Sequence, residues 1–204
     1  MADFSFRTIT QPAKGQYKEK GSRFLAFAFP VETEEEIKLH LSKLEKEFFD
    51  ARHHCFGWIL GADKKRFRAF DAGEPNHSAG DPILGQIRSR DLTNVAVIVV
   101  RYFGGTKLGV GGLINAYKLA AADALDKAVI IEKDLIRSIT ITYDYPATAD
   151  VMRLVKDFDL EIQDQSFEAE CILIANCKLQ QAPALIDKLT LMKTLGVVRE
   201  FGEL

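Results

Sequence analysis

Cysteine is scarce in this chain: three residues in 204, Cys55, Cys171 and Cys177. An odd number leaves no paired framework. Cys171 and Cys177 fall on one predicted strand, where their separation is about 20 Å of extended chain, far beyond disulfide reach. A disulfide scaffold is excluded, and the thiol usage fits a reducing compartment. An excess of one charge is missing too: 27 Lys and Arg stand against 29 Asp and Glu, a net charge of −2. That excludes a protein that coats nucleic acid by overall basicity. No hydrophobic run approaches the ~20 residues of a membrane span, and the opening MADFSFRTITQPAKG lacks the apolar centre of a leader. Repeats and low-complexity linkers are also absent. What is present is ordinary globular composition, 47% hydrophobic and 27% charged, with enough length for one large domain or two small ones. The expectation is a cytoplasmic protein with no membrane partner.

Distribution is more telling than totals. Ten of the 14 glycines lie between Gly57 and Gly112, and five of those between Gly104 and Gly112. Residues 1–135 hold 20 basic against 18 acidic side chains, residues 136–204 hold 7 against 11, and the stretch 51–118 holds 10 against 5. A glycine-rich, locally basic stretch is thus followed by an acidic segment.

The first clear element is a strand from Arg23 to Pro30. Thr33 then reads as a helix N-cap with Glu34, Glu35 and Glu36 in the first turn, where the helix dipole favours them. Ile37, Leu41, Leu44 and Phe48 continue one buried stripe. Strands are expected at His54–Gly61 and Arg66–Asp71, and a short helix from Asp81–Pro82. A central strand, apolar on both faces, follows at Asn94–Arg101, and then an alanine-rich helix from Leu113 to Ala128. A boundary at Glu132–Asp134 leads to strand (Ser138–Tyr143), helix (Ala147–Phe158), strand (Glu161–Phe167), strand (Ala169–Lys178), helix (Ala182–Leu195) and strand (Val197–Phe201). That βαββαβ order is the ferredoxin-like arrangement. The fold class is therefore α+β, with domains at 1–135 and 136–204.

The loop from Arg101 to Leu113, RYFGGTKLGVGGL, leaves the central strand and enters a helix. Glycines at 104, 105, 109, 111 and 112 let backbone N–H groups converge at a helix N-terminus, and Arg101 and Lys107 add full charges, so the segment suits an anion. It is not a Walker A loop, because Val110 and Gly111 stand where Lys and Ser/Thr are required. A tight strand-to-helix crossover would use the same glycines. Within Arg52-His53-His54-Cys55, alternation along a strand pairs Arg52 with His54, or His53 with Cys55, so the two histidines do not chelate one metal. A thiol opening the apolar run CFGWIL reads as core rather than as a nucleophile. The loop from Asp71 to Pro82 carries Asp71, Glu74, His77, Ser78 and Asp81. These could serve acid–base chemistry or bind a hard cation, or could be turn and capping residues, with Ser78 or Asp81 capping the next helix. The carboxylates could also pair with Arg52 or Arg101. Lys18, Lys20 and Arg23 cluster around Gly21. Lys64, Lys65, Arg66 and Arg68 crowd a hairpin, the usual sign of a solvated turn.

ARHHCFGW (51–58), FDAGEP (70–75), SAGDPIL (78–84) and VVRYFGGTKLGVGGLINAY (99–117), with the Lys-Gly-Ser-Arg-Phe run at 20–24, together resemble the IMPACT family. The resemblance implies a first domain similar to the second domain of ribosomal protein S5 and a second similar to a late domain of elongation factor G. Eukaryotic relatives regulate translation by interfering with activation of the kinase that phosphorylates initiation factor 2 alpha. They do so with an added N-terminal partner-binding domain that finds no counterpart here, so only a looser link to translation carries over, and no catalytic residues do.

The expected function is binding of RNA, the ribosome or another phosphate-bearing partner in a cleft of the first domain. Lys20, Arg23, Arg52, His54, Arg101 and Lys107 would supply charge, Gly104, Gly105, Gly109, Gly111 and Gly112 backbone donors, and His53, Asp71, Glu74 and Ser78 the polar lining. No metal or cofactor is expected. The acidic second domain, which also lacks an RNP1-type aromatic signature, would face a protein partner or solvent. Two alternatives stand beside this: a nucleotide-dependent or small-molecule enzyme whose phosphate site is the glycine loop, with Asp71 or Glu74 as base or metal ligand, and a protein-interaction module.

Overall fold

A computed structural model describes residues 4–168 and 170–203. It divides into two compact units, one formed by residues 6–133 and the other by the chain from Asp134 onward with Phe4 and Ser5. Strands and helices mix in both, as in α+β proteins.

The first unit runs β1 (Ser5–Ile9), β2 (Ala13–Glu19), β3 (Ser22–Pro30), α1 (Glu34–Glu47), β4 (His53–Leu60), β5 (Arg66–Phe70), α2 (Gly80–Ser89), β6 (Val95–Tyr102), α3 (Gly109–Asp126) and β7 (Ile130–Asp134). Five strands form a sheet in the order β2-β3-β6-β4-β5, antiparallel throughout. The central strand β6 is apolar from Val95 to Val100 because both its faces are covered. Val95, Val97 and Val99 join a core with Ile83, Leu84 and Ile87 of α2 and Leu113, Tyr117 and Leu125 of α3. Ala96, Ile98 and Val100 join another with Ile37 and Leu44 of α1. Thr33 caps α1 as its position suggests, its hydroxyl accepting from the Glu36 N–H at 3.2 Å.

The ordered structure begins earlier than the sequence pattern does. Strands β1 and β2 precede Arg23, and β2 escapes a hydrophobicity reading because it is an edge strand of sequence AKGQYKE. Its inner positions Ala13 and Tyr17 pack on the core, while the Gln16 N–H donates to Asp123 of α3 at 2.8 Å. The division between the units falls at Lys133/Asp134, within the Glu132–Asp134 stretch. That stretch belongs to β7, which pairs with β1 in a two-stranded sheet. Helix α3 starts at Gly109, one turn before Leu113, so the last glycines of the loop form its first turn.

The second unit runs β8 (Ile136–Tyr143), a single 3-10 turn (Tyr145–Ala147), α4 (Thr148–Asp157), β9 (Glu161–Phe167), β10 (Cys171–Lys178), α5 (Ala182–Thr194) and β11 (Val198–Glu203). Its sheet has the order β11-β8-β10-β9, antiparallel at each pairing. Ile139, Ile141 and Tyr143 face Val151, Leu154, Leu185 and Leu189 of the two helices in its core. Cys171 and Cys177, both buried and unbridged, lie on β10 with alternate residues between them directed inward. Ala169, where the sequence pattern starts that strand, lies outside the described residues, as do Met1–Asp3 of the opening segment. No helix among the described residues is long and apolar enough to cross a membrane.

Candidate functional site

Strand alternation decides which side chains can meet. On β4, His53 and Cys55 point to the α2–α3 side of the sheet, and His54 points to the α1 side with Phe56 and Trp58. His53 is the direct cross-strand partner of Arg101 on β6, and Arg101 is in turn opposite Phe24 on β3. Arg101 and His53 therefore share a face that His54 does not. Burial holds the His54 imidazole below the usual histidine range, against the opposing pull of Glu45 and the Leu44 carbonyl on α1.

Arg101 is only 6% exposed and Glu74 8%. Their side chains form an ion pair, Nη1 to Oε1 at 2.6 Å. The same Glu74 oxygen accepts from the Tyr117 hydroxyl of α3 at 2.7 Å. Tyr117 is packed edge-on against Phe24, with ring centroids 5.0 Å apart. The Arg101 guanidinium lies between aromatic rings, 5.5 Å from the centre of Phe24 and 5.7 Å from that of Phe103. Its Nε is buried and has no hydrogen-bond partner among the described residues. Two charges so deeply buried require each other, since an uncompensated one costs several kcal/mol, of order 3–5.

Cys55 completes this cluster. Its thiol donates to the Asp71 carbonyl at 2.9 Å and lies 3.3 Å from the Tyr117 hydroxyl oxygen. Burial pushes the thiol pKa up to about 12, reinforced by Glu74 and Asp71 and only partly opposed by Tyr117 and Arg101. A thiol in that state is no nucleophile at neutral pH. Burial likewise raises the Tyr117 phenol far above its usual range, so it stays a donor.

The two carboxylates of the FDAGEP loop are both committed. Asp71 Oδ1 accepts from the N–H groups of Ala79 (3.0 Å) and Gly80 (2.8 Å), and Oδ2 from that of His77 (2.8 Å). Burial works to raise the Asp71 pKa, but these three backbone donors outweigh it and hold the carboxyl below its ordinary value. Asp71 thus does the capping of α2 that the sequence pattern offers to Ser78 or Asp81. Ser78, fully buried, instead donates to the Pro75 carbonyl at 2.6 Å, and Asp81 meets His77 Nδ1 at 2.6 Å. Glu74 pairs with Arg101, not Arg52.

The glycines divide by purpose. A Cβ at Gly104 would sit 1.9 Å from the Gly21 carbonyl carbon, so this glycine exists to let the loop touch the Lys20–Gly21 turn between β2 and β3. Its N–H is already used, donating to Ser22 Oγ at 3.1 Å. Gly105 and Gly109 adopt positive φ, +88° and +73°. Gly111 needs neither: its φ is ordinary and nothing lies within 4 Å of a Cβ there. Gly112 is tight only against the Leu108 side chain, at 3.0 Å. The N-cap residue of α3, Leu108, offers no side-chain cap to its first turn.

Beside Arg101 opens a cleft of about 420 Å³, lined by Asp50, Arg52, His53, Arg101, Tyr102 and Phe103. His53 Nδ1 donates to the Ala72 carbonyl at 2.9 Å, which leaves Nε2 for other partners. The Tyr102 hydroxyl donates to Asp50 at 2.7 Å, and the exposed Arg23 guanidinium lies 5.0 Å over the Tyr102 ring. Phe103 is 58% exposed. Lys20, Arg23, Arg52 and Lys107 make no ion pair among the described residues. By contrast, three of the four hairpin cations have acidic neighbours, Lys64 with Asp91, Lys65 with Asp63 and Arg66 with Glu34, while Arg68 lies against the rings of Phe56 and Phe70.

Sequence reading misses Tyr102, Phe103 and Tyr117 as members of this site. A signal for Tyr117 exists: it is the one hydroxyl-bearing residue in the buried stripe Leu113, Ala116, Ala120, Ala124, and a buried phenol needs a partner.

The family model of the Impact N-terminal domain matches residues 20–125, the span that holds every residue of this cleft. The chain is 33% identical over 141 residues to the IMPACT family member YvyE of Bacillus subtilis, covering 69% of this chain and 65% of that protein. It is 31% identical over 156 residues to the IMPACT family member YigZ of Escherichia coli, covering 76% of each. A crystal structure described only as that of a hypothetical protein superposes with a TM-score of 0.74 at 27% identity, covering 98% of this chain and 97% of that one. The chain spans about two thirds of the length of the Bacillus relative. On these matches, and with Arg52, His53, Asp71, Glu74, Arg101 and the glycine loop all inside the matched span, the chain belongs to the IMPACT family.

Proposed function

We propose that the first unit binds a phosphate-bearing partner, RNA or the ribosome, at the cleft beside Arg101, and that the protein acts in the cytoplasm as a translation-linked regulator. The observation that carries this reading is the contrast in charge pairing. Lys20, Arg23, Arg52 and Lys107 keep their full charge unpaired among the described residues, while Lys64, Lys65 and Arg66 do not. Unpaired cations at one end of a sheet give an anion somewhere to exchange its counterions. The open first turn of α3 adds backbone N–H groups at Gly109, Val110 and Gly111. Arg101 acts from beneath, held by Glu74, whereas His54 lies on the α1 side of the sheet and does not line the cleft. In this reading the first unit is similar to the second domain of ribosomal protein S5. The second unit is ferredoxin-like and similar to a late domain of elongation factor G, its acidic surface left for a protein partner.

An enzymatic reading finds less support. Asp71 caps α2 through both oxygens and Glu74 is consumed by Arg101 and Tyr117, so neither carboxylate is available as a base.

The test is RNA binding titrated against salt. Four phosphate contacts on a single strand give a log–log slope of about −3. Arg52→Gln or Lys107→Gln should lower that slope by about 0.7–1, and Lys65→Gln on the hairpin should not. RNA binding with no salt dependence, or unchanged in both the Arg52 and the Lys107 variants, would overturn the reading.

A further inference from the structure

The cleft contains more than charge, and its other components narrow the ligand. Phe103 presents a ring that is 58% exposed, an unusual position for phenylalanine directly after a buried strand end. Its inner neighbour is the Arg101 guanidinium at 5.7 Å, so one side of the ring is braced by a cation. Arg52 and His53 line the same space, and neither Arg52 nor His53 Nε2 has a polar partner among the described residues. Arg101, 6% exposed, contributes to the same wall. At about 420 Å³ the space is large enough for one nucleotide.

We infer that this cleft seats a single unpaired nucleotide, its base against Phe103 and its phosphate toward Arg52 and His53. This rests on the proposed reading of the first unit as an anion-binding surface and makes it specific: the target is single-stranded, or a strand end or loop, because a base inside a duplex has no free face to offer an aromatic ring. The unpaired Lys20, Arg23 and Lys107 would then follow the backbone on either side. A free mononucleotide presents the same chemistry as one residue of a strand, and the two sources separate by affinity.

The experiment is fluorescence anisotropy with the full chain and labelled single-stranded RNA, the matching hairpin duplex, and mononucleotides as competitors. Single strands should bind, duplex should bind more weakly, and mononucleotides should compete only at far higher concentration. Phe103→Ala should weaken single-strand binding by about 5- to 150-fold, and Phe103→Trp should restore it with quenching of the new indole. Because Phe103 is exposed, these variants leave the core intact, which circular dichroism and the unfolding midpoint verify. Equal affinity for duplex, or unchanged affinity in Phe103→Ala, overturns the single-nucleotide inference while the Arg52 and Lys107 salt test still stands for the broader reading. If mononucleotides compete as well as strands and Phe103→Ala abolishes both, the nucleotide site is upheld and the RNA reading fails. If no nucleic acid binds at low salt, both fall.

Discussion

Arg101 and Glu74 meet at 2.6 Å in a position where each is more than nine-tenths buried, and Tyr117 donates to the same carboxylate oxygen. The pair positions the charge beneath the cleft. Glu74→Gln leaves a guanidinium buried without its counter-charge and should cost about 3–5 kcal/mol. Tyr117→Phe, which removes only one donor, should cost about 1–3 kcal/mol. Urea unfolding of the two variants measures both. A loss below 1 kcal/mol for Glu74→Gln would show that the pair is not the support inferred here.

Neutralising Arg101 itself is a poor probe of binding for the same reason: it strands Glu74 and confounds recognition with folding. Arg52 and Lys107, exposed and unpaired, are cleaner positions.

The Cys55 thiol, pushed up to about 12 by burial, should resist alkylation by iodoacetamide at pH 8 in the folded protein and react once the chain is unfolded. Mass spectrometry of the Cys55 peptide reads this directly. Rapid native labelling would contradict the buried arrangement with Asp71 and Tyr117.

Stability should fall as the solution is acidified below about pH 6.5. Burial lowers the pKa of His54, and burial with Lys43 nearby lowers that of His40, from the ordinary 6.5. In that range the unfolded chain binds more protons than the folded one, so unfolding gains as pH drops. Their contribution is complete above 6.5 and is lost as pH falls through the folded values. Denaturation midpoints between pH 7.5 and 5.5 should show this slope, and His54→Gln should flatten it. A slope unchanged in that variant would remove His54 as a source.

The glycine loop allows a sharper separation of structure from recognition. Gly104→Ala forces a methyl group to within 1.9 Å of the Gly21 carbonyl carbon and should destabilise by about 1–3 kcal/mol. Gly111→Ala meets nothing and should stabilise the start of α3 by about 0.5–1 kcal/mol. If a ligand backbone approaches that turn, Gly111→Ala should bind RNA less well despite its higher melting temperature. Stronger or equal binding would take Gly111 out of the site.

The sequence pattern revealed some of this and concealed the rest for physical reasons. Strand β6 was legible because six consecutive fully buried residues must all be apolar, and α1 because Thr33 and the following glutamates announce a helix start. Strands β1, β2 and β7 were not, because each is short or at an edge, where hydrophobicity loses contrast. The role of Arg101 was visible only as a charge beside glycines. Whether Asp71 or Glu74 pairs with it or with Arg52 could not be chosen, since pairing depends on which way a loop of turn residues folds. His53 and His54 illustrate the same limit: alternation told them apart, but not which of them shares a face with Arg101.

Strand β1 pairs with β7, more than a hundred residues later in the chain. A polypeptide made from its amino end must carry Ser5–Ile9 without its β7 neighbour until Ile130–Asp134 has been synthesised, although Arg7 also bridges to Leu92. The first unit therefore cannot be finished as it emerges, and its last ladder closes only when about two thirds of the chain exists. Until then the edge of β1 that meets β7 is an open template, exposed to whatever nascent or folded chain lies nearby.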